Sequence, residues 1–244
     1  MTAVGGRFPA RLSRVLPRSL GHVVRTEHAE TDAVRRRRRR VVARTSLVGA
    51  GLLGASLSTR PGSRGFYVST GVVAGVWAAG GLASGPLHRG WIESRDATLR
   101  RPVLTPVTTG VGVFGLFYGA ALVARRIPVL DAAVSDVLLF AEEGDDRLVL
   151  LTTLANGVAE EVFFRGALYT ALGDHHPVVS STAVYALTTA TTRNPALVLA
   201  AAAMGGLFAL QRRASGGVQA PALTHLTWSA LMVRYLPPLF RRRR

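Results

Sequence analysis

The stretch PVLTPVTTGVGVFGLFYGAALVA, Pro102–Ala124, carries no charged side chain and is flanked by Arg101 on one side and Arg125 and Arg126 on the other. As an α-helix, a segment of this length covers the roughly 30 Å of a bilayer's hydrocarbon core. A soluble domain of similar size has no need of such a run. Charge-free segments recur at Thr45–Thr59, Gly65–Leu87, Pro177–Thr192, Asn194–Gln211 and Ala214–Val233. The apolar content is 48% and the mean hydropathy is +0.27. None of these segments shows the short, strictly alternating pattern of a transmembrane barrel strand. The sequence therefore predicts an all-α, polytopic transmembrane helix bundle of about seven to eight helices.

The charges fall between these segments. Net charge is +16, and every one of the 30 basic residues is Arg. Absence of Lys beside abundant Ala, Gly and Val suits a high-GC bacterial genome. Absence of Cys excludes disulfides, thiolate metal sites and a cysteine nucleophile. Residues 1–40 are polar and basic, with a six-Arg block at Arg35–Arg40, and do not have the form of a secretory signal. They read as a poorly ordered arm on the cytoplasmic side of a bacterial membrane, holding anionic lipid headgroups. Clustered Arg also suits nucleic acid. Without interleaved aromatics or a reading module, that is the weaker reading.

The transmembrane domain is expected over 41–240. Its helices are predicted at Val41–Thr59, Gly65–Gly85, Val103–Ala124, Arg147–Leu172, Pro177–Thr192, Pro195–Arg212 and Val218–Leu236. Ile127–Asp146 is apolar with a helical period but is interrupted by Asp131 and Asp136, so it reads as either a short crossing or an interfacial helix. Two basic termini in the cytoplasm require an even number of crossings. Eight satisfies that, although Arg125 and Arg126 then face the wrong side.

Within the fourth of these helices lies Ala-Glu-Glu-Val-Phe-Phe-Arg, 159–165. A charge at such a depth costs roughly 2.5–3.5 kcal/mol on insertion scales, so three together call for a reason. Glu161 and Arg165 are one helical turn apart, in the favourable order for an ion pair. Glu160 points about 100° away and needs another partner, or a proton. An ion-paired knot holding helices together would account for Glu161 and Arg165. The second carboxylate favours a functional site.

His225 is the only histidine within a charge-free segment, and Ser229 follows one turn later on the same face. Together they can present donors to a developing oxyanion. Two carboxylates and one imidazole, Glu160, Glu161 and His225, can also be weighed as ligands for a divalent metal such as zinc. Tight coordination would then compete with a base role for Glu160. His175 and His176 sit next to Asp174 in a connection and read as solvated. His22, His28 and His88 lie in basic regions.

Glu-Glu-x-x-x-Arg in a membrane helix, followed by further helices with a histidine motif in the last, resembles the CPBP family. These are the CAAX-protease and bacteriocin-processing (ABI) intramembrane proteases. The resemblance covers about 147–236 and includes Gly166 after Arg165. It implies about eight helices and a site opening from a cavity within the membrane. It also implies that Glu160 activates water for peptide hydrolysis, with Glu161 and Arg165 in support. His225 and Ser229 match the family's His-x-x-x-Asn motif of oxyanion donors, with Ser in place of Asn. The family's other motif, Phe-x-x-x-His, falls on Tyr185 and Thr189, so Thr189 stands where the relatives carry the second water-activating group. A Thr hydroxyl is a poor base and a poor ligand. The leading expectation is a divergent endopeptidase acting on a peptide or protein substrate. The alternatives are an inactive protein of the same fold that binds a peptide or membrane partner, and a small proton-coupled transporter using Glu160.

Overall fold

The computed structural model describes residues 18–21, 30–93, 98–173 and 176–240. The described chain is an all-α bundle. A one-turn helix α1 (Arg18–Gly21) is followed by α2 (Asp32–Ser56) and α3 (Arg64–Ala83). Strands β1 (Ile92–Glu93) and β2 (Leu99–Arg100) pair antiparallel, Ile92 opposite Arg100 and Glu93 opposite Leu99. Then come α4 (Leu104–Ala124), α5 (Pro128–Glu142) and α6 (Asp146–Glu160). Helix α6 runs directly into a π-helical stretch, Glu161–Leu168, and on into α7 (Tyr169–Leu172). The chain continues through α8 (Pro177–Ala190), α9 (Pro195–Ser215), α10 (Gln219–Tyr235) and α11 (Pro237–Phe240). Among the described residues α3, α4 and α9 are long and apolar enough to cross a membrane. The chain is an integral membrane protein.

The observed helices follow the hydropathy reading, with two differences. The basic arm expected over 1–40 falls largely outside the described residues, but its end does not. From Asp32 the chain is helical, so Arg35–Arg40 form the first turns of α2 rather than an irregular tail. Thr31 caps this helix, and Asp32 sits in its first turn, at the positive end of the helix dipole. Arg38 turns inward, is fully buried, pairs with Glu30 and donates to Ser84 Oγ at 3.0 Å. A block with internal partners need not stay solvated. The second difference is the doubtful segment at 127–146. It forms the 15-residue α5, about 22 Å long and short of a 30 Å core. Its Leu138 packs with Ala121, Leu236 and Phe240.

The main core lies where α2 and α3 meet the π-helical stretch. Trp77 of α3 is fully buried, with ring centroids 4.7 Å from Phe163 and 5.0 Å from Phe164. Val42, Val73, Ala159, Ala167, Leu168 and Ala171 complete the cluster. Gly49 of α2 lies directly against the Trp77 ring, where any side chain would collide with it. Lipid tails are as apolar as this interior, so packing rather than water exclusion holds it together. Trp77→Ala removes the centre of that packing and is expected to cost about 3–5 kcal/mol, read as a lower unfolding midpoint in detergent micelles.

The loop before β1 ties down the start of α10. Val218 N–H donates to the His88 carbonyl (2.9 Å), Gln219 N–H to the Arg89 carbonyl (3.0 Å), and Trp91 N–H to the Ser215 carbonyl (2.8 Å). Helix α9 ends at Gly216 in the left-handed conformation, φ 71°. Gly217 then lies so close to the backbone of Arg89 and Gly90 that no side chain fits. Two of the three amides that the start of α10 leaves without an intrahelical partner are thereby satisfied, Pro221 having no N–H.

Candidate active site

The acidic motif straddles the change from α- to π-helix. Tyr169 N–H donates to the carbonyl of Phe164, five residues back. Such widened turns are uncommon and concentrate at functional sites. Glu160 is the last residue of α6 and is half-buried, whereas Glu161, the first of the π-helical stretch, is fully buried. Adjacent carboxylates thus lie in different surroundings.

Glu161 is the hub of a buried ion cluster. Its Oε1 accepts from Arg165 Nη1 at 3.3 Å and lies 2.9 Å from His225 Nδ1, which brings α10 onto the motif. Arg165 also donates from Nη2 to the Gly205 carbonyl of α9, at 3.3 Å. Its guanidinium rests over the rings of Tyr185 (4.6 Å) and Phe208 (5.0 Å). Phe208 in turn stacks on His225, centroids 4.8 Å apart and planes 23° apart. From α9, Arg212 is buried and donates to the Arg165 carbonyl at 2.7 Å. Side chains from α9 and α10 therefore fix both ends of the Glu161–Arg165 pair. The carboxylate orients the imidazole, and such a partner commonly sets which ring nitrogen carries the proton.

Glu160 belongs to a separate arm of the site. Its Oε2 accepts from the Tyr185 hydroxyl of α8 at 2.6 Å. Sequence reasoning put Tyr185 at the family's Phe position and gave Thr189 the role one turn later. In the structure Thr189 is buried, and its hydroxyl donates to the carbonyl of Tyr185 at 2.9 Å. Among the described residues Thr189 makes no hydrogen bond to either carboxylate. The signal that could have found Tyr185 is a single atom, since a Tyr where relatives carry Phe adds a hydroxyl. Ser229 is buried one turn beyond His225 and, among the described residues, makes no hydrogen bond to the carboxylates. Asp174 and His175 lie outside the described residues. His176 is exposed at the start of α8.

The three side chains considered as ligands are engaged with protein partners at Glu161 Oε1, His225 Nδ1 and Glu160 Oε2, while Glu161 Oε2 is buried with no hydrogen-bond partner among the described residues. Among the described residues no group of three His, Cys, Asp or Glu side chains is arranged to hold an ion. Glu161 Oε1 is shared between Arg165 and the very nitrogen by which His225 approaches. One oxygen of Glu160 is taken by Tyr185. A guanidinium within 3.3 Å of the carboxylate already supplies the positive charge a cation would bring. What the arrangement offers is a half-buried carboxylate with one oxygen free of Tyr185, next to a fixed cluster of Arg and His donors.

Residues 147–231 match the family described as Type II CAAX prenyl endopeptidase Rce1-like. No curated protein and no solved structure matches the chain.

Proposed function

We propose, taking the match of 147–231 to the Rce1-like family as the premise, that this membrane protein is an intramembrane endopeptidase in which Glu160 activates water. The observation that carries the reading is the contrast between the two carboxylates. Glu161 is fully buried, with Oε1 held by both Arg165 and His225, whereas Glu160 is half-buried, and among the described residues its hydrogen-bond partner is the neutral Tyr185 hydroxyl. A general base must be able to reach its water, and of the two carboxylates Glu160 is the less buried. In this reading Glu161 and Arg165 hold His225 in orientation. His225, with Ser229 one turn on, faces the oxygen that gains charge when water adds to the peptide carbonyl.

The second reading is an inactive protein of the same fold that binds a peptide or membrane partner. It is favoured by the lack of an imidazole at Thr189, whose hydroxyl is spent on the backbone. A test that separates the two uses purified protein in proteoliposomes, mixed with a library of internally quenched apolar peptides. Hydrolysis that disappears in Glu160→Gln supports the endopeptidase. Peptide binding without hydrolysis supports the binding protein. Proton flux without hydrolysis would return Glu160 to the transporter reading.

The setting of the site is part of the proposal. The chain is of bacterial type, with its N-terminus in the cytoplasm. The start of α2 lies at the membrane surface, with Arg35, Arg36, Arg37, Arg39 and Arg40 exposed and Arg38 turned inward. The exposed arginines meet anionic headgroups at about 1 kcal/mol each.

A further inference from the structure

We infer that Tyr185 is the positioning residue of Glu160, completing the site in the place where Thr189 does not reach. This rests on the endopeptidase reading and names a residue that reading leaves open.

Three observations carry it. The Tyr185 hydroxyl lies 2.6 Å from Glu160 Oε2, within the 2.5–2.7 Å range of a charge-assisted O–H···O⁻ bond. The ring has little freedom to leave. It packs against Phe164, centroids 4.7 Å apart, beneath the Arg165 guanidinium. Across from it, Gly205 brings α9 so close that a Cβ there would lie 3.2 Å from Tyr185 Cδ1. Finally, Thr189 bonds the carbonyl of Tyr185 itself. The side chain one turn along the helix thus serves the backbone of α8, and the side chain that serves Glu160 is the phenol.

The bond has a chemical consequence. With Oε2 held by Tyr185, Oε1 of Glu160 is the oxygen left for water. As the water oxygen bonds to the peptide carbonyl carbon, its proton passes to Oε1. As the C–N bond breaks, Glu160 returns that proton to the departing amine. The Tyr185 O–H stays intact throughout. Tyr185 therefore sets the rotation of the carboxylate and the direction of its free lone pair, which governs the rate of the chemical step rather than substrate capture.

The experiment has two arms, both on the full-length chain in proteoliposomes. The first compares wild type with Tyr185→Phe, which keeps the ring and its packing, on a quenched peptide that the wild type cleaves. The expected result is a fall in kcat of about 10- to 100-fold, the worth of one hydrogen bond to a charged group, with KM changed by less than about twofold. The second arm needs no substrate. The infrared difference spectrum of protein with ring-labelled tyrosine, wild type minus Tyr185→Phe, isolates the Tyr185 C–O band, and that band is expected to shift in Glu160→Gln. A wild-type kcat in Tyr185→Phe, or a band unmoved by Glu160→Gln, overturns the assignment. If the wild type hydrolyses nothing, the endopeptidase reading fails by itself, and the infrared arm still decides whether the phenol holds Glu160.

Discussion

Glu160→Gln is expected to lower peptide hydrolysis by about 10²- to 10⁴-fold, the usual contribution of a general base, and to leave the protein folded in the membrane. Gln has nearly the size and shape of Glu, and its carbonyl oxygen still accepts from the Tyr185 hydroxyl at the 2.6 Å contact. The variant therefore keeps the contact, now to a neutral acceptor, and loses the charge and the capacity to take a proton. Among the described residues Glu160 makes no ion pair with Arg165 or His225, and Glu161 keeps its contacts with both, so removal of the Glu160 charge leaves that pairing in place. The measurement is initial rate on a cleaved quenched peptide, alongside the thermal midpoint of the same preparation. Wild-type hydrolysis in the variant would remove Glu160 from the mechanism. A collapse of the midpoint would make the residue structural instead.

Arg165→Met has the opposite profile: a large loss of stability, about 3–5 kcal/mol, from breaking a buried pair on one side. Glu161 is then left fully buried with the His225 imidazole beside it, and the Gly205 carbonyl loses the Arg165 donor. The substitution keeps most of the side chain's length, which confines the change to the guanidinium. Glu161→Gln combined with Arg165→Met should recover part of the loss, because the uncompensated charge goes with the carboxylate. Unfolding midpoints of the two single variants and the double variant, in one detergent, give the coupling. Additive losses would mean that the pair contributes no mutual stabilisation.

The bundle was legible in the sequence because the signals were long. Charge-free runs such as Pro102–Ala124 admit few conformations in a bilayer, and the helix observed at Leu104–Ala124 lies within that run. The Glu161–Arg165 pair was legible from spacing and is present at 3.3 Å. Other features rest on information that a linear pattern does not hold. The fate of Arg35–Arg40 turned on Glu30 and Ser84, and a partner 46 residues away leaves no periodic trace. The π-helical stretch escaped a reading at 100° per residue, because propensity does not encode an i to i−5 bond. Within it, Phe163 and Phe164 both pack on Trp77. The motif position of Tyr185 is legible in the sequence, but the contact of its hydroxyl with Glu160, 25 residues away, is a tertiary one that leaves no linear trace.

The backbone ties between His88–Trp91 and Ser215–Gln219 bear on how the protein comes into being. Synthesis delivers the loop before α10, and folding proceeds from the N-terminal side as the chain is made. Until α10 has been made and meets its waiting carbonyls, Glu161 has Arg165 but not His225. The nascent protein therefore passes through membrane insertion with its acidic helix in place and its imidazole missing.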